Sequence, residues 1–182
     1  MKIFVLNGSP RLRGNTKTAL NTIISGINKN CPDIDVEICD VTTKRLSGCI
    51  NCNGCRRNGG QCVLPDDSKE IINKIYNADV VIFGTPVYWL GVSSQLKMVI
   101  DKMYSKNSKF KDQHKRVAVL AVGANDIEDP QYKLIFDQMD YICDYLAWKV
   151  ILHYPISAYE LNDLSNNADE LKKLNNLWKL IS

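Results

Sequence analysis

Between two apolar stretches, the chain reads Gly8-Ser9-Pro10-Arg11-Leu12-Arg13-Gly14-Asn15-Thr16. The run before it, residues 3–6, is continuously apolar, which is typical of a parallel strand buried on both faces. The stretch after it, residues 18–24, carries apolar residues at helical spacing. The quoted segment is therefore predicted to be a loop that joins a buried strand to a helix. Open α/β sheets bind ligands at such loops, outside the carboxyl ends of their strands.

The composition of this loop favours the binding of an anion. Gly8 and Gly14 allow the backbone to approach a ligand closely, and a helix that begins near Asn15 adds free N–H groups and a partial positive charge. The loop also carries short polar side chains and a guanidinium that can bind phosphate, at Ser9, Arg11, Asn15 and Thr16. A helix that is merely capped by Ser or Asn is the alternative interpretation.

Two well-known phosphate-binding motifs are absent from this loop. It contains no Gly-x-Gly-x-x-Gly, which binds dinucleotides, and no Gly-x-x-x-x-Gly-Lys-Ser/Thr, which binds nucleoside triphosphates. A loop rich in hydroxyl groups and small residues suits a single terminal phosphate, such as that of FMN.

The bulk properties of the chain set limits on its class. Its 182 residues suit one domain, residues 1–182, with a sizeable core. The formal net charge of +3 and the absence of a long basic block do not indicate nucleic-acid binding. No apolar run approaches the roughly 18 residues of a membrane span, and the chain enters a strand without a signal peptide. These features predict a cytoplasmic protein with no membrane partner.

Strand and helix patterns alternate along the chain. Strands are predicted at residues 2–7, 36–39, 79–84, 116–122 and 150–154, and helices at 16–29, from 68, from 93 or 94 to 104, at 131–146 and at 167–180. This alternation predicts βαβ units and a parallel sheet. Five strands fit a flavodoxin-like three-layer α/β sandwich with strand order 2-1-3-4-5. In that order the loops at Ser9, Thr85 and Gly123 are expected to converge.

A cysteine group lies in the long irregular stretch predicted at about residues 42–65, which is far longer than a normal connection. The four cysteines are Cys49, Cys52, Cys55 and Cys62. In a reducing compartment such crowding favours metal binding or redox chemistry. Four thiolates would satisfy a [4Fe–4S] cluster or a tetrahedral zinc, and free thiols or one redox pair are the other interpretation. The basic residues around the group would attract an acidic electron carrier: Lys44, Arg45, Arg56 and Arg57.

An aromatic turn follows the third predicted strand and reads Thr85-Pro86-Val87-Tyr88-Trp89. The Thr-Pro step forces extended backbone, and Tyr88 and Trp89 offer flat apolar faces to a planar ligand. Core or interface packing is the alternative role for these two side chains. Gly123 is expected near the other edge of the same ligand.

In combination, these motifs resemble the NADPH-dependent FMN reductase family, and within it the iron–sulfur flavoproteins of anaerobes most of all. The resemblance covers most of residues 1–105 and rests on the Gly8 to Arg11 and Gly14 to Thr16 segments, the four cysteines with Asp66-Asp67 after them, and the aromatic turn. It implies FMN, with its phosphate on Ser9, Arg11, Asn15 and Thr16 and its ring against Pro86, Val87, Tyr88 and Trp89. It also implies a homodimer or homotetramer, and NAD(P)H as a co-substrate.

The leading hypothesis is an FMN-dependent redox protein in which the four cysteines hold a [4Fe–4S] cluster. Its donor would be NAD(P)H or a ferredoxin-type carrier, and its acceptor a small molecule or a protein. A cluster-free NAD(P)H-dependent FMN or quinone reductase is the alternative. A non-enzymatic flavin electron carrier and a zinc-stapled flavin-binding protein are hypotheses of another class. No side chain is predicted to act as a catalytic acid or base, because flavin chemistry does not require one. Helix capping is the expected role of Asp66 and Asp67.

Overall fold

The computed structural model describes residues 1–181 and contains one sheet of five parallel strands in the order β2-β1-β3-β4-β5. The strands are β1 (Lys2–Asn7), β2 (Asp35–Asp40), β3 (Val80–Pro86), β4 (Arg116–Gly123) and β5 (Lys149–Ser157). The flavodoxin-like strand order predicted from the alternation of elements is confirmed.

Two strands continue two or more residues beyond the carboxyl ends that the sequence predicts. The strand β3 continues through Pro86, because Pro86 still lies in register with Val122 of β4. The strand β5 extends to Ser157 and pairs along the whole of β4. It includes Pro155, which cannot donate a backbone hydrogen bond, and an edge strand such as β5 tolerates this.

Helices cover both faces of the sheet. They are α1 (Asn15–Asn30), α2 (Gly54–Arg57), α3 (Ser68–Asn77), α4 (Ser94–Met103), α5 (Asn107–Lys111), α6 (Pro130–Leu146), α7 (Ala168–Asn176) and α8 (Trp178–Ile181). The single helix predicted at 167–180 is in fact two helices. Its turn tightens at Leu177, whose N–H bonds to Leu174 three residues back, and this break buries both Leu177 and Ile181.

The core has two halves, one on each side of the sheet. Alternate residues of β1 point to opposite faces: Phe4 and Leu6 join one half, whereas Ile3 and Val5 join the other. The helices α3, α4 and α6 pack in the first half, and α1 and α7 pack in the second. This burial on both faces explains why the strands read as continuous apolar runs.

The segment between β2 and α3 is largely irregular, as predicted. It contains a 3₁₀ turn at Val41–Thr43 and the single-turn helix α2. Its backbone is left-handed at Asn51, Asn53, Gly59 and Gly60, which allows tight winding around the cysteines. Across residues 1–181, none of the helices has the length and apolar character that a membrane crossing requires.

Candidate functional site

A cleft lies at the carboxyl edge of the sheet, where the predicted loops meet. Its volume is about 580 Å³, including the part that is open to solvent, which is within the usual range for a small-molecule site. Eight of the ten residues predicted to bind FMN line it: Ser9, Arg11, Gly14, Asn15, Thr16, Pro86, Val87 and Tyr88. Trp89 and Gly123 are not among the lining residues, although Val122 and Ala124 are.

One end of the cleft is formed by the loop between β1 and α1, residues 8–14, which we call the phosphate loop because it is predicted to bind phosphate. Gly14 is the N-cap of α1 and makes no side-chain capping hydrogen bond to the backbone N–H groups of the first turn, and that turn has no acidic residue. The alternative of a helix capped by Ser or Asn is therefore wrong. An uncapped helix N-terminus presents free N–H groups and a positive dipole end to an anion.

The loop is braced from behind by a buried polar network. The fully buried Asn7 accepts a hydrogen bond from the backbone N–H of Ser9 (3.1 Å) and donates one to Asp40 (2.8 Å). Lys17 in the first turn of α1 bonds both oxygens of Asp40, at 2.7 and 2.8 Å. The Ser9 hydroxyl in turn accepts from the N–H of Arg11 (3.1 Å). These internal hydrogen bonds brace the shape of the loop.

A fourth loop, after β5, closes one side of the cleft and was not anticipated from the sequence. Ala158, Tyr159 and Leu161 belong to the lining. The side chain of Asn15 fixes this loop, because its amide donates to the carbonyl of Glu160 (2.7 Å) and accepts from the N–H of Leu164 (3.2 Å). The side-chain amide of Asn15 is therefore engaged by the chain through both its nitrogen and its oxygen.

The other end of the cleft, where the sequence predicts the flavin ring, is formed by the turn after β3. Tyr88 and Gly91 exchange two backbone hydrogen bonds (2.9 and 3.1 Å), which closes a two-residue hairpin turn at Trp89 and Leu90. Both turn residues have positive φ, 47° and 63°. Tyr88 is 41% exposed and Trp89 is 102% exposed. Core packing, the alternative interpretation of these aromatics, is therefore wrong.

Ser93, which is fully buried, joins this turn to the phosphate loop. Its hydroxyl donates to the carbonyl of Gly8 (2.6 Å) and accepts from the N–H of Leu96 (3.2 Å), so it also caps α4. Gly8 has no room for a side chain, since a Cβ there would lie 2.8 Å from the Cβ of Leu96. The two ends of the cleft are consequently one connected unit.

The four clustered cysteines line a second pocket, away from the cleft. This pocket measures about 400 Å³, including the part open to solvent, and shares no lining residue with the cleft. Ile50, Val63 and Leu64 give its wall an apolar character. Within residues 1–181 no three His, Cys, Asp or Glu side chains are gathered as a metal-binding group. The donor set suits a thiolate-bound metal centre, but the thiols share a pocket without converging on one point.

The acidic pair after the cysteines follows the predicted capping of α3 only in part, because Asp66 and not Asp67 accepts from the first residue of this helix. The Asp67 side chain does not cap α3, because it accepts a hydrogen bond from the N–H of Arg45 (2.7 Å) instead. Asp66 accepts from the N–H of Ser68 (3.0 Å) and forms a buried ion pair with Lys102. Lys102 also lines the cysteine pocket, and no feature of its local sequence marks it as a site residue.

The remaining cysteines and both histidines lie outside the two pockets. Burial raises the pKa of the Cys143 thiol to about 12 and also raises that of Cys39, which is expected of small apolar core residues. His114 is exposed, and His153 stacks on Phe136 at the protein surface. None of these residues contributes to the candidate site.

Comparison with known proteins identifies the family. A family model described as NADPH-dependent FMN reductase matches residues 1–135. The chain belongs to this family. Its membership confirms the resemblance drawn from the phosphate loop, the cysteines and the aromatic turn. The match ends within α6 and includes both the cleft loops at Ser9 and Thr85 and the whole cysteine segment.

Several curated relatives carry the name iron-sulfur flavoprotein. One from Methanocaldococcus jannaschii is 38% identical over 125 residues, which cover 69% of this chain and 63% of the relative. Another from Clostridioides difficile is 30% identical over 154 residues and covers 82% of this chain and 68% of the relative. The chain thus spans less than two thirds of several curated relatives, with 55% and 58% covered in two others.

Solved structures share the flavodoxin-like fold at low sequence identity. RosB with a bound flavin-type intermediate, 8-demethyl-8-formylriboflavin-5'-phosphate, aligns with a TM-score of 0.75 and 17% identity over 98% of this chain and 75% of RosB. An NAD(P)H:quinone oxidoreductase from Methanothermobacter marburgensis aligns with a TM-score of 0.68 and 16% identity over 98% of this chain and 96% of that protein. These likenesses support the fold alone.

Proposed function

We propose that the protein is an FMN-dependent oxidoreductase that moves electrons between a donor such as NAD(P)H or a ferredoxin-type carrier and a small or protein acceptor. The observation that carries this proposal is the uncapped N-terminus of α1, which faces a cleft of mononucleotide size next to Ser9, Arg11 and Thr16. Membership of the FMN reductase family supports it.

In this proposal each part of the cleft has a separate task. The N–H groups at the start of α1, the hydroxyls of Ser9 and Thr16 and the Arg11 guanidinium hold the phosphate. Pro86 and Val87 support one face of the ring, and backbone groups near Tyr88 and Gly123 bond its polar edges. When bound, FMN supplies the exchange between two-electron and one-electron chemistry. The chain positions it and limits the access of water.

The second part of the proposal is that Cys49, Cys52, Cys55 and Cys62 hold a [4Fe–4S] cluster. The shared pocket, its apolar wall and the left-handed residues between the cysteines support this assignment. The names of the curated relatives point the same way. Burial and hydrogen bonds around the sulfurs would set the reduction potential of the cluster.

A cluster-free NAD(P)H-dependent FMN or quinone reductase is the second candidate. It is favoured by the arrangement of the cysteines, since no three of these side chains within residues 1–181 are gathered as a metal-binding group. Iron and zinc analysis of protein purified without oxygen separates it from the cluster-containing enzyme. Steady-state oxidation of NAD(P)H separates both enzymes from a non-enzymatic electron carrier.

An anaerobic visible spectrum of protein that is incubated with excess FMN, and then freed of unbound FMN by gel filtration, tests the main proposal. We expect two structured flavin bands together with a broad shoulder that a reductant bleaches. Cys52→Ala should remove the shoulder and leave the flavin bands. Protein that stays colourless with FMN would refute the flavin assignment, and loss of the flavin bands with iron retained would show that the two sites are wrongly assigned.

Self-association belongs to the same proposal. The hairpin next to the cleft exposes Trp89 completely and Leu90 to 56%, and such apolar surface is usual at subunit contacts. We expect a homodimer or homotetramer in analytical ultracentrifugation. Trp89→Ser should shift the distribution towards the monomer, and an unchanged distribution would place the contact elsewhere. A cytoplasmic location and a ferredoxin-type partner remain predictions.

A further inference from the structure

The carboxylate of Asp66 is the meeting point of three segments that are distant in sequence. One oxygen accepts from the N–H and hydroxyl of Ser68, and the other from the N–H and hydroxyl of Ser47 and the ammonium of Lys102. The side chains of Lys102 and Asp66 are 0% and 5% exposed. A buried carboxylate with this many donors is fully satisfied and hard to replace.

These contacts tie together the two ends of the cysteine segment. Ser47 stands two residues before Cys49, and Ser68 stands six residues after Cys62. A second tie lies beside the first, because Asp67 accepts from the N–H of Arg45 (2.7 Å) and donates its own N–H to the carbonyl of Arg45 (2.9 Å). Residues 48–65 therefore form a loop whose two ends are held together. We call these contacts, which join residues 45–47 to residues 66–68, the neck of the loop.

The neck is joined to the floor of the cysteine pocket. Lys102 lines that pocket and lies near the end of α4, whose first residues contact the phosphate loop through Ser93. On the outer side, the Arg56 guanidinium donates to the hydroxyl of Tyr104, which follows α4 directly. The pocket is thus built against α4 from both sides, with the buried tie at its base.

We propose that Asp66 and Lys102 are positioning residues that close the cysteine loop at its neck and hold the four thiols around one pocket before a metal centre is assembled. This inference rests on the proposed metal-binding role of the loop. A loop that is already closed loses less chain entropy when its thiols bind a metal, so the closed neck favours both assembly and retention.

Asp66→Asn tests this role because it keeps the size of the side chain but replaces one carboxylate oxygen by an amide N–H₂. This group cannot accept the hydrogen bonds that Ser47, Ser68 and Lys102 donate to the carboxylate. The substitution also leaves the Lys102 ammonium buried without a counter-charge. The matched control is Asp137→Asn, which removes an exposed ion pair with Lys133 four residues away in α6. Both variants are compared with the parent chain in the metal-free form and after anaerobic reconstitution with iron and sulfide.

Hydrogen exchange and bleaching by a chelator report on the loop, and the FMN dissociation constant reports on the rest of the fold. In the metal-free protein we expect hydrogen exchange of residues 48–65 to rise at least tenfold in Asp66→Asn. After reconstitution we expect a chelator to bleach the cluster shoulder at least tenfold faster in this variant. The FMN dissociation constant should stay within twofold of the parent value in both variants, because the cleft shares no lining residue with the cysteine pocket.

Parent-like hydrogen exchange and bleaching in Asp66→Asn would overturn the inference. If the parent chain takes up no iron, the metal assignment of the proposed function fails, whereas exchange in the metal-free loop still decides whether the neck is held by Asp66. Should Asp66→Asn not fold, Ser47→Ala removes one hydroxyl and keeps the ion pair. We expect a smaller increase of the same exchange in that variant, and no increase would refute the inference.

Discussion

Asn15 lines the cleft, but the contacts of its side chain differ from the predicted contact with phosphate. The sequence suggested a side chain that contacts phosphate. In the structure both ends of its amide bond the loop after β5, at Glu160 and Leu164. Its side chain therefore shapes the wall of the cleft, and the free N–H at the start of α1 remains for the anion.

Arg11 is an exposed cation of the phosphate loop that lines the cleft, and Arg13 of the same loop is a matched control because it is also exposed but does not line the cleft. We expect Arg11→Ala to weaken FMN binding by about 1.5–3 kcal/mol, the usual contribution of a hydrogen bond to a charged group. Riboflavin lacks the phosphate, so its affinity should not change. Fluorescence titration with both ligands measures the difference.

Arg13→Ala should bind FMN and riboflavin as the parent chain does. An equal loss of riboflavin and FMN affinity in Arg11→Ala would mean that Arg11 supports the fold or the ring, and would contradict its phosphate role.

Among the elements, the hairpin between β3 and α4 is the least predictable from local preference. Its two turn residues have positive φ, which side chains adopt at a cost of roughly 1–2 kcal/mol per residue. Asn and Gly are the usual residues at such positions, yet Trp89 and Leu90 occupy them. The conformation is held from both sides, by the Tyr88–Gly91 pair and by Ser93.

Leu90→Gly is expected to relieve the strain at the second turn position. The free energy of unfolding should rise by up to about 1 kcal/mol, since glycine adopts positive φ without a steric penalty. Urea unfolding followed by circular dichroism measures the change. Leu180→Gly, at an exposed position of α8, is the control and should lower stability because glycine disfavours a helix. A fall of similar size in both variants would contradict the strain argument.

The cysteine segment differs from the other elements in how it is stabilised. Its backbone contains little regular structure, and its position depends on polar ties to α3 and α4. Alternating hydrophobicity cannot predict such a segment, because few of its residues are buried in the core. Its length, its cysteines and the basic residues around them are its local signals of function.

At the scale of the whole molecule, the Asp66 ion pair links stability to pH. Burial opposes ionisation of this carboxyl, but the hydrogen bonds from Lys102, Ser68 and Ser47 outweigh burial and hold its pKa well below the usual range. A depressed carboxyl pKa contributes stability above the pKa of the unfolded chain, about 3.9 for Asp. That contribution is lost as the pH falls through the folded pKa.

We therefore expect the difference in unfolding free energy between the parent and Asp66→Asn to be constant from about pH 5 to 8 and to shrink below about pH 4. Urea unfolding of the metal-free, FMN-free proteins at several pH values measures it. Asp137→Asn should show a small difference throughout, because its ion pair is exposed. A difference in unfolding free energy between the parent and Asp66→Asn that grows at low pH would contradict the assignment of the ion pair as the source of this stability.

The sequence alone determined the order of strands and helices, the parallel sheet with order 2-1-3-4-5, and the place of the phosphate loop. Hydrophobic periodicity, glycines and breaks between elements are local signals, and the handedness rule for βαβ units then restricts the topology. The cysteine spacing and the Thr85-Pro86 turn could be recognised in the sequence for the same reason, because both are local signals.

Only the tertiary structure decided which side chains serve the sites. Lys102 meets Asp66 across 36 residues, and Asn15 meets Leu164 across 149. Trp89 is fully exposed, although its residue type is usually well buried. Such pairings and exposures depend on how helices and loops pack over the sheet, and hydrophobic periodicity within one segment carries no information about a partner so far along the chain.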